Sequence, residues 1–389
     1  MTRVAHVITG LGVGGAETAL TRLIGRMDRG RFAHTVITLG RRDDPMAARV
    51  VAAGAAVESM RLRPSRPDGL LRLASTLRRL RPDVIQAWMY HANLAALSAS
   101  LALPGRTPLV WNVRSAVSGL ASEKRLTRWI AAMGGPLSRF ADVIVYCSRA
   151  AAREHERALG FDAGRTWVIP NGFDLEVFRP SLEDRQRIRR DLGLRDGTAA
   201  VAVIARWHPV KDHPTFLRAA AQVTAEARFV LAGTGVDANN HTLGELIRSL
   251  GLDGRVHLLG ERWDIPAILA AMDLFVSPSR SEAFSNTIGE AMATGLPCVV
   301  TGVGDSAWIA GETGVVVPPG NPEALAAAMN RLLAADPAAR REAGLAARAR
   351  IAEVFSLDQA TSAYAALYES RPAMRSQEEA LRVRHCRYR

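Results

Sequence analysis

The sequence predicts an α/β protein with two doubly wound domains, each built on a parallel sheet. Short apolar runs of strand length alternate with helical segments along the chain, which is the pattern of parallel strands joined by helical crossovers. The alternation starts afresh at residue 199, after a polar and charged segment at residues 179–196. The length of 389 residues is that of two or three domains.

The first half contains seven predicted strands, which are apolar runs bounded by polar or turn residues. They cover residues 4–8, 34–39, 55–57, 83–88, 108–113 and 142–147, with a last run near residue 168. Predicted helices follow a glycine-rich turn at residues 10–15 and then cover residues 69–80, 92–101, 124–133 and 149–159. The first domain is predicted to span residues 1–178.

The second half repeats this plan with six predicted strands. They cover residues 199–204, 228–232, 256–260, 274–276, 298–300 and 311–317. One short helix is predicted within residues 179–196, and others near residue 214 and at 243–250, 287–293, 322–335 and 359–368. The second domain is predicted to span residues 179–354. A helix at 355–370 is expected to return to the first domain, followed by a basic tail at 371–389.

The composition is that of a globular protein, with 48% apolar residues and no apolar run long enough to cross a bilayer. The N-terminus has the pattern of a strand and a turn, not that of a signal peptide. Cys147, Cys298 and Cys386 are too widely spaced for a disulfide framework or a zinc site. A reducing cytosol is therefore expected.

The formal net charge of +12 is unevenly distributed. Residues 1–180 hold 26 basic and 14 acidic residues, whereas residues 181–389 hold 24 of each. The densest basic run consists of Arg61, Arg63, Arg66, Arg72, Arg78, Arg79 and Arg81. This asymmetry favours an anionic partner for the first half, such as a membrane surface, a lipid diphosphate or nucleic acid. The alternative is a general bias toward arginine, which accounts for 48 of the 50 basic residues but not for their distribution.

The segment at residues 273–301 is predicted to form a strand, a polar turn, a helix and a second strand. Ser285 or Asn286 is suited to cap the helix, whose first N–H groups would face an anion beyond the sheet. Glu282 lies in the turn and Glu290 in the second helical turn. Two carboxylates beside such a helix end suggest a nucleotide-sugar site, with one acid for sugar hydroxyls and one for a ribose diol. The alternative is that both are ordinary surface charges.

Two cations follow the first strand of the second domain. Arg206 and Lys211 lie five residues apart in the loop before a predicted helix, where they could hold a diphosphate from two sides. Lys211 is one of only two lysines, so the bias toward arginine does not account for it. The alternative is a surface loop with incidental charges.

The glycine-rich turn of the first domain lets the backbone approach a ligand closely, as phosphate sites require. It is similar to a dinucleotide-binding fingerprint but lacks the regular third glycine. His91, Asn93 and Arg114 follow later predicted strands, where ligands of such sheets bind, and are candidate contacts for an acceptor or a sugar. Each of them taken alone is more often structural than catalytic.

Taken together, segments along nearly the whole chain resemble the retaining glycosyltransferases of family 4, which have the GT-B fold. The matching segments are GLGVGGAET (10–18), VIPNGFDLEVFRP (168–180), ARWHPVKDHPTFLRAAA (205–221), FVLAGTG (229–235), residues 256–301 and ETGVVVPPG (312–320). The segments QAWMYHAN (86–93) and VWNVRSA (110–116) resemble a branch found in polysaccharide and O-antigen gene clusters.

The resemblance implies two Rossmann-like domains facing across a cleft, with the acceptor in the first and the donor in the second. Arg206 and Lys211 would neutralise the donor diphosphate, Glu282 would contact donor-sugar hydroxyls, and these three are the implied catalytic residues. Glu290 would bind the ribose. The full set of implied donor-binding residues is Gly14, Gly15, Arg206, Lys211, Glu282, Phe284, Ser285, Asn286, Thr287, Ile288 and Glu290.

Two positions depart from the family pattern. Arg114 stands where many members carry a histidine near the donor sugar, and His91 is the alternative for that role. Ala283 replaces the usual glycine after Glu282, which is a small change. Neither a metal nor a cofactor is expected, because the cations supply positive potential and the sequence has no Asp-x-Asp motif.

The implied function is transfer of a hexosyl group from a nucleoside-diphosphate sugar, a UDP-sugar first, to a lipid-linked or saccharide acceptor in cell-surface polysaccharide biosynthesis. The protein is expected to be cytoplasmic and peripheral on the inner face of the membrane, with its basic first half on anionic lipid and no nucleic-acid partner. One alternative is a nucleotide-sugar epimerase or a phosphorylase on the same fold. Another is an inactive nucleotide-sugar-binding module.

Overall fold

The computed structural model of the chain describes residues 1–12, 14–40, 44–61, 68–195 and 197–370. Arg63 and Arg66 of the basic run and the predicted tail at 371–389 lie outside these residues. The chain divides into two compact units. Unit 1 comprises residues 1–171 together with the chain from Leu357 onward, and unit 2 comprises Gly172–Ser356.

Unit 1 contains all seven strands predicted in the first half. They are β1 (Thr2–Ile8), β2 (Phe32–Thr38), β3 (Ala56–Ser59), β4 (Val84–Trp88), β5 (Leu109–Val113), β6 (Val143–Tyr146) and β7 (Thr166–Val168). They form one parallel sheet in the order β3-β2-β1-β4-β5-β6-β7. β4 and β5 are buried along their whole length, which is why their sequences are nearly continuous apolar runs.

The helices of unit 1 connect these strands, and a last one follows at its C-terminal end. They are α1 (Gly15–Arg26), α2 (Ala47–Ala52), α3 (Asp68–Leu80), α4 (Met89–Ser100), α5 (Arg125–Leu137), α6 (Arg149–Leu159) and, after unit 2, α15 (Leu357–Glu369). α15 belongs to unit 1 because Tyr364, Leu367 and Tyr368 are buried in the same apolar cluster as β1 and α1. Two buried hydrogen bonds help to fix its position: Asn112 donates to the Tyr364 hydroxyl at 2.8 Å, and the Tyr368 hydroxyl donates to Gln86.

Unit 2 contains the six strands predicted in the second half. They are β8 (Ala199–Ile204), β9 (Ala227–Ala232), β10 (Val256–Leu258), β11 (Leu274–Ser277), β12 (Cys298–Thr301) and β13 (Val315–Val317). They form a second parallel sheet in the order β10-β9-β8-β11-β12-β13. The fold class of two Rossmann-like parallel-sheet domains is thereby confirmed.

The helices of unit 2 flank this sheet. They are α7 (Leu182–Asp191), α8 (His213–Ala220), α9 (His241–Ser249), α10 (Ile265–Ala270), α11 (Asn286–Ala293), α12 (Ser306–Ala310), α13 (Pro322–Ala334) and α14 (Pro337–Val354). Phe216, Phe229, Val276 and Leu325 are fully buried members of an apolar cluster in its core. Three of these helices, α10, α12 and α14, are absent from the sequence prediction.

The boundary between the units lies after Asn171 and not after the predicted residue 178. Phe173 accounts for the difference, because its ring stacks on Phe284 of unit 2 with centroids 6.2 Å apart. Its backbone N–H also donates to the Phe355 carbonyl at 2.9 Å. Within the described residues, no helix is long and apolar enough to cross a membrane.

Candidate functional site

A small cavity lies at the carboxyl edge of the unit 2 sheet. The ends of β8 and β11 line it, together with Lys211, Glu282 and Thr287. β8 and β11 are neighbours, and the strand order runs in opposite directions on either side of them. Ligands of doubly wound sheets bind at such a switch point. The cavity therefore brings three of the predicted site residues together where the topology favours a ligand.

The loop after β8 is fixed by close packing against the loop after β9. A Cβ on Gly233 would lie 2.2 Å from the Ala205 carbonyl oxygen, so only glycine permits this approach. The Trp207 N–H donates to the Thr234 carbonyl at 2.8 Å. These contacts hold the backbone from which Arg206 projects, and Arg206 itself is exposed.

Asp212 links the loop after β8 to the loop after β11. It has a left-handed conformation with a φ of 51° at the N-cap of α8, where its carboxylate accepts the Thr215 N–H at 3.4 Å. The same carboxylate accepts a 2.7 Å bond from Nε of Arg280, and the Arg280 N–H donates to the Val210 carbonyl at 2.7 Å. Lys211 lies directly before Asp212, so this junction positions the lysine.

Lys211 and Glu282 form an ion pair inside the cavity. Nζ of Lys211 lies 2.5 Å from Oε1 of Glu282, and the Ser279 hydroxyl donates to the same oxygen at 2.8 Å. Both side chains are largely shielded from solvent, so the charges interact more strongly than a surface pair would. An incoming anion can take Lys211 as its partner and leave the Glu282 carboxylate to accept ligand hydroxyl groups.

The turn after β12 packs against the loop that carries Glu282 and fixes its position. A Cβ on Gly304 would lie 2.1 Å from the Glu282 carbonyl oxygen, and the φ of Gly304 is 53°. The Asp305 N–H donates to the Ala283 carbonyl at 3.0 Å. The Thr301 hydroxyl donates to the Ser279 carbonyl at 2.6 Å. Glu282 is thus positioned by a backbone contact that tolerates no side chain.

Helix α11 begins at the cavity, as predicted. Ser285 occupies the N-cap position, and its hydroxyl lies 3.3 Å from that of Thr287 without capping the helix. The first turn of an α-helix carries N–H groups that have no intrahelical acceptor, which favours an anion there. The ring of Phe284 is buried against Phe173 and Phe355 in the core of unit 2.

Glu290 lies one turn further along α11 and is only 9% exposed. Water solvates an ordinary helical glutamate, whereas a buried carboxylate requires polar partners. This burial argues against the alternative that Glu290 is an ordinary surface residue.

Unit 1 has its own switch point, between β1 and β4. The glycine-rich turn after β1 leads into α1, with Gly14 at the N-cap. A Cβ on Gly14 would lie 2.5 Å from a Glu17 carboxylate oxygen, so the chain's own carboxylate lies over this turn. Burial raises the pKa of Glu17, and nearby Asp44 adds to the shift. The predicted phosphate contacts of Gly14 and Gly15 would therefore need Glu17 to move or to be protonated.

β4 passes into α4 without a loop, so His91 and Asn93 lie in the first turns of a helix that was predicted to start at residue 92. Met89, at the junction, has a φ of 71°, which is unfavourable for a side chain and is found preferentially at functional sites. Asn93 is buried, and with its amide group turned by 180° its nitrogen donates to the Ala87 carbonyl at 3.1 Å and to that of Met89 at 3.2 Å. Burial lowers the pKa of His91, and Glu123 opposes the shift.

Arg114 is held by side chains of its own unit. Its guanidinium donates to Asn112 at 3.3 Å, to the Tyr364 hydroxyl at 3.4 Å and to Asn171, and it lies over the Trp88 ring. These contacts give Arg114 a structural role, which is the more frequent role for such a residue taken alone. Its role as a ligand contact stays a prediction.

Sequence reasoning missed several residues that position the site. Asp212 and Arg280 bond across loops that lie 68 residues apart in the chain, and spacing alone does not reveal such a pair. Ser279 bonds Glu282 within a single loop, three residues away. One available signal was Asp212 before His213-Pro214, the pattern of an N-cap followed by proline. Among the residues that the structure describes, no three His, Cys, Asp or Glu side chains are placed to hold a metal ion.

Two family models match the chain in succession. Residues 13–177 match the model described as Glycosyltransferase Family 4, and residues 198–335 match Glycosyl transferases group 1. Together the two matches cover most of the chain, one in each half.

Curated relatives match parts of the chain. The D-inositol 3-phosphate glycosyltransferase of Mycobacterium marinum is 36% identical over 215 residues, which are 53% of this chain and 45% of that protein. The UDP-Gal:alpha-D-GlcNAc-diphosphoundecaprenol alpha-1,3-galactosyltransferase of Escherichia coli is 35% identical over 152 residues, 38% of this chain and 39% of that protein. The chain thus spans less than half the length of these two relatives.

A solved structure of HepE from Anabaena, in complex with UDP, superposes with a TM-score of 0.83. It is 25% identical in sequence, and the match covers 95% of this chain and all of that one. A second structure of the same protein contains UDP and glucose and gives a TM-score of 0.82.

Proposed function

Because this chain belongs to glycosyltransferase family 4, we propose that it is a retaining enzyme that moves a hexosyl group from a UDP-sugar to a lipid-linked or saccharide acceptor. The observation that carries the proposal is the Lys211–Glu282 ion pair in the cavity at the β8–β11 switch point. The UDP held by HepE supports a uridine nucleotide as the donor.

In the proposed reaction the donor diphosphate takes Lys211 from Glu282. Lys211 and Arg206 neutralise the diphosphate as the sugar bond breaks, and the N-terminus of α11 adds positive potential. Glu282, released from the lysine, accepts hydrogen bonds from the sugar hydroxyls, and Glu290 binds the ribose. These groups supply the charge that a metal ion would otherwise provide, so chelation with EDTA should leave the rate unchanged.

The retaining outcome is proposed to follow from same-face displacement. The departing phosphate oxygen accepts the proton of the incoming acceptor hydroxyl while that hydroxyl bonds to the anomeric carbon. This step is drawn from the family resemblance, and it assigns no protein nucleophile.

The acceptor proposal has two supports. The matching E. coli relative acts, by its name, on a diphosphoundecaprenol-linked sugar. The basic first half of the chain suits an anionic lipid surface, so the protein is proposed to work as a peripheral protein on the inner face of the cell membrane, in polysaccharide biosynthesis of the O-antigen or exopolysaccharide kind.

The test compares variants at the cavity with matched surface variants. Lys211→Ala and Glu282→Gln should each lower transfer from UDP-hexoses to a polyprenyl-diphosphate sugar by at least about 100-fold, since each removes a charged partner of the transition state. Arg248→Ala and Glu245→Gln, exposed on α9, are the controls and should transfer at the wild-type rate. Near wild-type turnover in either cavity variant would refute the site assignment.

The same assay separates the alternatives. An epimerase would convert the donor to an isomer without acceptor, and a phosphorylase would need inorganic phosphate. An inactive binding module would show thermal stabilisation by UDP but no product with any acceptor.

A further inference from the structure

Among the described residues, half of the exposed large apolar side chains lie on or directly after helices α3, α4 and α5 of unit 1. They are Leu70, Leu71, Leu101, Leu126, Trp129, Met133 and Phe140. Single exposed apolar residues need no explanation, but a concentration of them marks an interaction surface.

Helix α5 carries the most compact part of this set. Leu126, Trp129 and Met133 are spaced by three and four residues, so they form one stripe along the helix. Leu126 is 60% exposed and Trp129 is 61% exposed. Three of the five large apolar residues of α5 thus face outward, while Ile130 and Leu137 are half-buried.

The face of α5 that packs on the protein is made of small residues. Ala131, Gly134 and Gly135 are buried, and a Cβ on Gly135 would lie 1.7 Å from the Leu159 carbonyl oxygen at the end of α6. A surface helix of a globular protein normally turns its large apolar residues inward. In α5 the buried residues are small and three large apolar residues are exposed, so core packing does not explain the exposed stripe.

Cations flank the stripe. Lys124, Arg125 and Arg128 are exposed, and none of them has an ion-pair partner in the part of the chain that the structure describes. Just beyond the helix, the guanidinium of Arg139 lies 5.0 Å from the centre of the exposed Phe140 ring. An apolar stripe containing a tryptophan, bordered by unpaired cations, has the chemistry of a helix that lies in the interface of an anionic membrane.

Neighbouring helices extend the same surface. α4 packs between α3 and α5, and all three connect strands in the same direction across the sheet, which places them on one of its faces. α3 exposes Leu70 and Leu71, which precede Arg72. A flat lipid surface can contact both helices at once.

We propose that the outer face of α5, formed by Leu126, Trp129 and Met133 with Lys124, Arg125 and Arg128, inserts into the surface of an anionic bilayer. A second copy of the chain fits this face less well, because it would place three cations against three others. The inference deepens the proposed function, on which it rests, by giving the peripheral contact a definite surface and an apolar component.

The test is co-sedimentation of the full-length protein with vesicles of phosphatidylglycerol and phosphatidylcholine, against vesicles of phosphatidylcholine alone. Trp129→Ser should weaken binding to the anionic vesicles about tenfold, since it removes one inserted aromatic side chain. Trp263→Ser is the matched control, because Trp263 is equally exposed, at 63%, but lies in unit 2. It should bind like the wild type.

Two triple variants that remove the same number of positive charges test the role of the cations. Replacement of Lys124, Arg125 and Arg128 by glutamine should weaken binding on the order of 100-fold at low salt. The same change at Arg248, Arg331 and Arg341, which are exposed in unit 2, lowers the net charge equally and should have little effect. Wild-type binding should fall with salt yet persist in part, because the apolar contact is not screened.

Three results would overturn the proposal. They are equal binding by wild type and Trp129→Ser, absence of binding to anionic vesicles, or a wild-type dimer in sedimentation velocity that Trp129→Ser dissociates. Thermal stabilisation by UDP is measured in every variant, so that a failure of the membrane proposal can be distinguished from a failure of the proposed function. A protein that binds UDP but not vesicles contradicts only the membrane surface, and one that binds vesicles but not UDP contradicts the donor site.

Discussion

Gly304 shows how one residue outside the cavity sets the position of a functional side chain. Any Cβ there would meet the Glu282 carbonyl oxygen at 2.1 Å, and the positive φ adds strain. Gly304→Ala should therefore shift the Glu282 loop and lower transfer on the order of 100-fold, as misplacement of a substrate-positioning group by about 1 Å can do. Steady-state kinetics with a UDP-hexose would measure the loss.

Gly251→Ala is the control for backbone strain alone. Gly251 has a φ of 66°, but no atom lies within 4 Å of its added Cβ. This variant should lose about 1 kcal/mol of stability and keep its activity. Equal activity losses in the two variants would show that strain, and not the displaced Glu282 loop, explains the effect.

The buried pair His6 and His34 should make unit 1 sensitive to acid. Trp88 Nε1 lies 3.3 Å from Nδ1 of His6, so this nitrogen is an acceptor, and Nε2 of His6 then donates to Nδ1 of His34 at 3.0 Å. Burial lowers the pKa of both imidazoles, that of His34 to about 4. An added proton has no acceptor in this arrangement, so the folded state disfavours protonation.

The sign of the pH effect follows from these lowered values. Below an unfolded pKa near 6.5 the unfolded chain binds protons that the folded chain does not, so stability falls as the pH drops from about 6.5 toward 4. The His34 shift alone corresponds to about 2 kcal/mol lost at pH 5 relative to pH 7. Urea unfolding at the two pH values would measure it.

His34→Asn isolates this contribution, because the asparagine oxygen can accept the His6 proton but does not titrate. The variant should lose less stability than the wild type between pH 7 and pH 5. His241→Asn, at an exposed position on α9, is the control substitution. An unchanged pH dependence in His34→Asn would rule out His34 as a source of acid sensitivity.

At the scale of elements, the contact of α11 with α14 depends on the absence of a side chain. A Cβ on Gly344 would lie 1.9 Å from the Gly295 carbonyl oxygen, just past the end of α11. Gly344→Ala should lower the free energy of unfolding by about 1–3 kcal/mol, because the helices must separate. Thermal or urea unfolding would measure the change.

Gly244→Ala provides the opposite case in the same unit. Gly244 lies inside α9 with open space around its added Cβ, so alanine should raise stability by about 0.4–1 kcal/mol. If Gly344→Ala were as stable as Gly244→Ala, close helix contact at Gly295 would not be a determinant of the fold.

The same contact explains why α14 was not predicted from the sequence. Its buried residues, Gly344, Ala347 and Ile351, have helical spacing, but glycine and alanine are too small to give a strong apolar signal. It is held instead by arginine donors: Arg348 bonds to the carbonyls of Phe178, Leu175 and Ala293, and Arg350 bonds to those of Trp308 and Ile309. Hydrogen bonds to distant backbone leave no periodic signal, whereas β8, with its fully buried apolar run, was predicted with its observed bounds.

The candidate site, too, could be predicted only in part. Lys211 and Glu282 could be predicted, because each follows a recognisable strand and the carboxyl ends of parallel strands share an edge. Their direct bond and the contact of Gly304 with the Glu282 backbone could not, since both depend on how separate loops pack. The Ser279–Glu282 bond forms within one loop and depends on the conformation of that loop.

At the scale of the whole molecule, α15 completes the core of unit 1 although it follows unit 2 in the sequence. The ion pairs Arg26–Asp358 and Arg31–Glu369 on α15 are exposed and contribute at most about 1 kcal/mol each. Burial of Leu367 in the unit 1 core outweighs them, because truncation of a buried leucine costs about 2–5 kcal/mol.

Leu367→Ala should therefore destabilise the strands at the opposite end of the sequence. We expect faster amide hydrogen exchange in β1 and β4, which lie more than 270 residues before the substitution, with protection in β8 and β11 retained. Leu325→Ala, in the unit 2 core, should give the reverse pattern and serves as the matched control. If Leu367→Ala left β1 and β4 protected, α15 would not contribute to the stability of the unit 1 core. If it exposed β8 and β11 equally, the two cores would unfold together, which would contradict the division of the chain into separately stabilised units.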